Sequence, residues 1–169
     1  TFPERNIIAA RVAHLTDATD EQRSLGRSNC QVRNRCHFGC SFKAYFSSLN
    51  ATLPAAERTG NLTMVHNAIV SSIEYDAETN RVTGVRIVDA ITNEKRLYTS
   101  KVIFLNASTI ASAMILLQSK SEAFPTGLVN RSDQVGRNLM DHVSGAGAVG
   151  MISGFDNQKV FGRRPSGGI

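Results

Sequence analysis

The sequence predicts an α/β fold, and three observations carry that prediction. Val102, Ile103, Phe104 and Leu105 form an unbroken apolar run, the pattern of a strand covered on both faces, as parallel strands under helices usually are. At Asn106 the period changes, because Ile110, Ala113, Met114 and Leu117 recur at helical spacing behind Asn106, Ser108 and Thr109, residue types that suit a helix N-terminus. Upstream, residues 69–75 and 81–89 alternate in character between polar turns, so an antiparallel meander is expected to feed the buried strand.

Each element follows in chain order. Ile7, Ile8, Ala9, Val12 and Leu15 stand at near-helical spacing until Asp17, Asp20, Glu21 and Arg23 interrupt them, which predicts a short helix and then an exposed loop. Over residues 24–48 hydrophobic period disappears and small, basic and cysteine residues dominate, the mark of an irregular segment packed on something else. Pro54 at a helix start and Gly60-Asn61 at its stop predict about two helical turns. In the meander, Ile69, Ser71, Ile73 and Tyr75 should point one way and Val70, Ser72 and Glu74 the other. After the loop at 76–80, Val82, Val85, Ile87 and Val88 mark the next strand, and a polar turn at 92–94 returns the chain to the buried strand. The helix after Asn106 should end near Ser119. A loop with Pro125, Thr126 and Gly127 precedes residues 136–142, after which Gly145, Gly147 and Gly150 alternate with Ala146, Ala148, Val149 and Met151 as if a strand opened a new region. The divisions expected are 1–50, 51–143 and 144–169.

Length and composition bound the answer. The chain has 169 residues, 41% hydrophobic and 20% charged, enough for one core. It begins at Thr1 and stops in a stretch, residues 163–169, that reads as a turn, so a fragment of a longer protein is expected. The formal charge of +5 is spread along the chain with no Lys/Arg block interleaved with aromatics, which argues against a nucleic-acid partner. No apolar stretch approaches the ~20 residues that span a bilayer, and no signal peptide is visible.

The residues that could carry chemistry are few. The 102–118 junction is the best candidate for touching a cofactor, since the first free N–H groups of a helix that follows a strand face an anion. Cys30, Cys36 and Cys40, with His37 beside the second, could supply a metal site or an iron–sulfur cluster. They lack a C-x-x-C pair, and structural or free thiols are favoured over a metal, a cluster or a disulfide. Asp141-His142 could be an acid–base pair, but adjacent side chains seldom meet, and a turn fastened by hydrogen bonds is the plainer reading. His14, His37 and His66 show no ligand spacing and read as surface or packing residues. N-x-S/T triplets occur at Asn50, Asn61, Asn106 and Asn130; at the end of a buried strand Asn106 could not be a glycosylation acceptor. No P-loop or nucleophile elbow is present.

Several stretches in fixed order carry a resemblance: Cys36-His37-Phe38-Gly39-Cys40; Thr52-Leu53-Pro54-Ala55-Ala56; Thr59-Gly60-Asn61-Leu62-Thr63; residues 67–73; Val82-Thr83-Gly84-Val85; Asn106-Ala107-Ser108-Thr109 with Ile115-Leu116-Leu117-Gln118-Ser119; and Gly136-Arg137-Asn138-Leu139-Met140-Asp141-His142. Over about residues 24–145 the sequence resembles the middle of a GMC (glucose–methanol–choline) flavoprotein oxidoreductase, closest to the bacterial sugar and gluconate dehydrogenase-like branch. The resemblance implies part of a Rossmann-like FAD-binding domain, with 1–50 packing on it and 144–169 beginning a substrate domain. It implies that Val70 presents its backbone to the adenine, that Asn106, Ala107 and Ser108 approach the ADP half of FAD, and that Asn138, Asp141 and His142 line the flavin side. Asn106 departs from the small residues usual at that turn.

The resemblance also implies hydride transfer from a CH–OH group of a sugar, polyol or related alcohol to FAD, then electron transfer to a quinone, cytochrome or oxygen, in a bacterial cytoplasm or periplasm. The family's N-terminal glycine-rich turn and its C-terminal catalytic histidine are absent from this sequence, so the segment alone is expected to be inactive. Some relatives hold an iron–sulfur cluster on cysteines in a corresponding place; the spacing here departs from theirs. A non-catalytic binding module on the same fold is the alternative of a different class.

Overall fold

The structure is a computed structural model that describes residues 8–10, 12–33, 35–145, 147 and 166–168. It divides into two compact units, Thr1–Thr63 with Val149–Ile169, and Met64–Ala148.

The second unit is built on a meander. Strand β2 (Ala68–Asp76), β3 (Arg81–Asp89) and β4 (Lys95–Thr99) pair antiparallel in that order. Two Asx turns close the hairpins: Asp76 accepts from the Glu78 amide and the Thr79 hydroxyl, and Asp89 accepts from the Ile91 and Thr92 amides. Asn80 and Asn93 take the left-handed conformations those turns need. At Gly84 a Cβ would lie 2.5 Å from the Tyr98 carbonyl oxygen, so only glycine lets β3 approach β4 this closely.

Helix α3 (Thr109–Gln118) packs on β2. Ile73, Ile115, Phe124 and Leu128 form the core, with Val70, Tyr75, Val85, Leu105 and Ala107 packed around it. The buried Ser119 hydroxyl ties the layers together, accepting from the Ile73 amide at 2.8 Å and donating to the Ile115 carbonyl at 2.6 Å. Asn130, buried as well, organises the following loop by donating to the Thr126 carbonyl and accepting from the Val135 amide.

Two expectations for this unit fail. A register shift between Val70 and Ser72 breaks the alternation of β2, so Val70, not Ile69, joins Ile73 and Tyr75 at the core, and Ile69 is exposed. A β-bulge adds one residue and moves the residues before it to the opposite face. The strand expected at 102–105, buried on both faces, is not formed: the third strand is β4, and 102–105 runs beyond it without a ladder partner among the described residues. Ile103 and Leu105 are half-buried, whereas Val102 and Phe104 are 64% and 83% exposed. Ser100 provides a local alternative to a ladder, its hydroxyl donating to the Val102 carbonyl and accepting from the Val102 amide.

The first unit is assembled differently. Strand β1 (Ile8–Ala10) pairs antiparallel with β5 (Ser166–Gly168), Ile8 opposite Gly168. Extended backbone at 8–10 therefore replaces the expected opening helix, and a strand stands where a terminal turn was expected, because each segment supplies the other's hydrogen bonds. Helix α1 (Asp20–Ser24) forms where a loop was expected. Thr19 and Gln22 make a reciprocal capping box, with Asp20 and Glu21 in the first turn and Arg23 in the last; the charges that interrupt the apolar period are those that suit helix ends. Helix α2 (Thr52–Glu57) lies where Pro54 and Gly60 predict it.

Between them the described chain is irregular, with a 3-10 turn at Cys36–Phe38. Backbone bonds cross it: Leu15 N–H to the Ala44 carbonyl, Phe46 N–H to Ala13, Cys30 N–H to Leu15 and Ser28 N–H to Phe42, at 2.8 to 3.0 Å. Gly145 and Gly147 are not in a strand; Ala146, Ala148, Val149, Gly150 and Met151, the rest of that expected strand, lie outside the described residues.

Candidate functional site

The junction before α3 has strained backbone. Ser108 stands at the N-cap with φ 66° and ψ 171°, a region essentially restricted to glycine that costs on the order of 1–3 kcal/mol for other residues. Its carbonyl starts the helix by accepting from the Ser112 amide at 2.9 Å, but its hydroxyl makes no capping bond. The expected serine cap is thus not realised, because at this φ and ψ the side chain turns away from the first-turn amides. No acidic residue occupies that turn, so its N–H groups carry the positive end of the helix dipole without an acceptor from a cap. Asn106 and Ser108 are exposed beside them, and Ala107 anchors the turn to the core. This donor set suits an anion such as a phosphate of a dinucleotide cofactor.

Val70 packs on the same core as Ala107, so the structure brings these two expected residues together around one cluster. Val70 belongs to β2, whose ladder partner is β3 on one side only, with Ile87 opposite Val70. Asn138, Asp141 and His142 lie on an exposed stretch outside that cluster. Asn138, at φ 56°, donates to the Gln134 side chain at 3.1 Å. The Asp141 carboxylate accepts from the His142 backbone amide at 2.7 Å, a turn contact that does not involve the imidazole. Met140 and Val143 beside them are 89% and 96% exposed. An open hollow of about 370 Å³ near Ile73, Ile103, Leu105 and Leu128 and another of about 610 Å³ near Thr83 and Ser100 are lined by none of the expected cofactor residues.

In the first unit, the three cysteines and His14 line one hollow of about 220 Å³ together with Arg33 and Arg35. His14 Nε2 lies 3.2 Å from Cys36 Sγ and its ring packs against Tyr45. Spacing alone missed this contact, because 22 residues separate the pair; the bridge between His14 and Tyr45 closes the distance. Partial burial pushes the Cys40 thiol up, but the backbone amides of Tyr45, Ala44, Phe42 and Lys43 outweigh it and hold Cys40 below the ordinary thiol range. Cys30 and Cys40 are in no disulfide, and among the described residues no three His, Cys, Asp or Glu side chains are grouped to hold a metal ion.

Comparison with known proteins adds to this geometry. The GMC oxidoreductase family model matches residues 14–144. The large subunit of fructose dehydrogenase from Gluconobacter japonicus is 33% identical over 117 residues, which cover 69% of this chain and 21% of the relative; the chain spans about a fifth of the length of that relative. No helix among the described residues is long and apolar enough to cross a membrane. With the meander, the strained turn before α3 and the 136–142 stretch all inside the matched span, the chain belongs to the GMC oxidoreductase family.

Proposed function

We propose that this chain is the central part of the FAD-binding region of an enzyme that oxidises a CH–OH group of a sugar, polyol or related alcohol. The observation that carries the reading is Ser108, strained and uncapping, at the head of a helix with no acid in its first turn. Strain of this kind persists where surrounding structure or function over-determines it. The relative's printed name supports a sugar as substrate and dehydrogenation as the reaction.

In this reading Asn106, Ala107 and Ser108, with the first amides of α3, hold the ADP half of FAD, and Val70 offers main chain to the adenine. Asn138, Asp141 and His142 face the flavin side. The chemistry that the flavin supplies when bound is acceptance of a hydride from the alcohol carbon. What this chain contributes is orientation: a rigid core under Val70 and Ala107, and a helix dipole aimed at negative charge. The electron acceptor would be a quinone, a cytochrome or oxygen. Residues 51–143 form the central FAD domain, 144–169 begin the substrate domain, and 1–50 are a cysteine-bearing segment; the segment without its parent is inactive.

The test is titration of the full-length protein with FAD, followed by addition of sugars while flavin absorbance is recorded. Binding and sugar-dependent bleaching are expected. Asn106→Asp should weaken FAD about tenfold by placing like charge against the phosphates, while stability holds or rises because an acid suits a helix N-terminus. Unchanged FAD affinity in that variant would remove the junction from the cofactor site, and a full-length protein that binds no flavin would leave only a binding module on this fold.

A further inference from the structure

Among the described residues of the second unit the buried polar side chains are Ser119 and Asn130. Asn130 bonds within its own loop, to Thr126 and Val135, whereas Ser119 joins two elements. It follows the last residue of α3, and both its amide, at 3.0 Å, and its hydroxyl, at 2.6 Å, donate to the Ile115 carbonyl. With the hydroxyl proton committed there, the oxygen presents its lone pairs to the Ile73 amide and accepts from it at 2.8 Å. The hydroxyl so held has one orientation, and the end of α3 is fixed to one peptide of β2.

The edge of β2 that Ser119 meets is the edge away from β3. An antiparallel ladder alternates pairs that exchange hydrogen bonds with pairs whose amides and carbonyls face outward. Ile73 stands opposite Val85, and its amide, given to Ser119, marks that pair as the outward kind. The next pair, Ser72 with Arg86, is of the other kind, and Val70 with Ile87 is again outward. In an unbroken strand Val70, three residues from Ile73, would turn its main chain toward β3. The extra residue at the register shift, Ser71, restores the parity. One irregularity thus puts the Val70 side chain in the core and its main chain on the same free edge as that of Ile73.

We propose that Ser119 is a positioning residue that sets the distance between the Val70 main chain and the head of α3, and so the fit of the ADP half of FAD; the inference rests on the FAD reading of the junction. Helix α3 is ten residues long, about 15 Å of stiff rod, with Ser108 before one end and Ser119 after the other. Fixing its foot to Ile73 stops the helix from sliding along β2, while Val70 and Ala107 meet on one core near its head. A ligand that reaches both places gains from having them held at the right separation, and a ligand that reaches one of them does not.

The full-length protein is titrated with FAD in the presence of ADP, adenosine or pyrophosphate, and flavin fluorescence gives the affinity of each competitor. ADP spans both places, adenosine reaches the β2 edge alone, and pyrophosphate reaches the helix head alone. Ser119→Ala is expected to weaken ADP about tenfold and to leave adenosine and pyrophosphate within about twofold; Ser119→Thr, which keeps the hydroxyl, restores the ADP affinity. Ile115→Val lowers stability with both Ser119 bonds in place and should leave all three affinities unchanged. Should the alanine variant fail to fold, Ser119→Cys, close in volume and a weak hydrogen-bond former, carries the same comparison. Undiminished ADP affinity in the variant, or equal losses for all three competitors, would overturn the positioning role and leave the FAD reading standing. A wild-type protein that binds FAD without competition from ADP would take the junction out of the cofactor site, and the inference would fall with it.

Discussion

The two units reach order by different physics. In Met64–Ala148, large side chains from distant elements meet: Ile73 from β2, Ile115 from α3, and Phe124 and Leu128 from the loop after it. In the other unit the buried apolar residues among those described are the alanines Ala18, Ala44 and Ala51, and the buried Arg27 donates to the Lys43 carbonyl at 3.1 Å. Backbone bonds among residues 13–15, 28–30 and 42–46 hold that unit, and small side chains let the strands of chain approach. The first kind of order tolerates varied polar decoration. The second places three cysteines, His14 and two arginines around one small hollow.

The largest effect that would test the contrast is Phe124→Ala. Phe124 is buried, meets Tyr75 edge-on at 4.9 Å between centroids and carries the Arg131 guanidinium 4.9 Å over its face. Its loss should cost about 3 kcal/mol in urea denaturation of the full-length protein, with amide exchange rising in β2, β3 and α3. If exchange rises instead among residues 13–46, the division into a packed unit and a backbone-bonded unit is wrong.

Ala44→Leu is the counterpart in the first unit. Ala44 has no exposed surface and its carbonyl accepts from Leu15, so a larger side chain must push main chain apart at a cost of about 2 kcal/mol. Exchange should rise at the amides of Leu15, Cys30 and Phe46. A variant as stable as the parent would show that this region yields without penalty and is not held by close backbone approach.

The smallest effect lies in the two hairpin turns. The Thr79 hydroxyl and the Glu78 amide lower the Asp76 carboxyl, and the Ile91 and Thr92 amides, with Arg96, lower that of Asp89. A lowered folded-state pKa means stabilisation that is complete above the ordinary aspartate range and is lost as pH falls through the lowered value. Acidification should therefore release the amides of Glu78, Ile91 and Thr92 before those of the core, read by proton-exchange rates at successive pH values. Simultaneous release of core and turn amides would tie the turns to the global transition.

Much of the second unit is legible in the sequence. The run around Val82, Val85 and Ile87, the Asx turns, and the helical spacing of Ile110, Ala113 and Leu117 are local signals, and β3 and α3 occur where they point. The apolar run at 102–105 misleads because hydrophobicity reports a preference for burial and says nothing of a ladder partner; with Ser100 bonding locally, only alternate residues turn inward. In the first unit, periodicity is silent, since what buries a residue there is a backbone contact to a distant segment. Of the expected cofactor residues, Val70 and Ala107 share a core and Asn106 and Ser108 flank it, but the strained conformation of Ser108 has no signature in residue type.

By itself the sequence determined the meander, the short helix at Thr52–Glu57, the helix after Asn106 and the ordered set of motifs that mark a GMC oxidoreductase. These depend on periods and turns only a few residues long. Tertiary structure alone decided which face of β2 meets the core, whether 102–105 finds a partner and how His14 comes to Cys36. Each of these is settled by a register shift or a backbone contact between segments far apart in sequence, where a few hydrogen bonds choose between arrangements that local preference leaves nearly equal in energy.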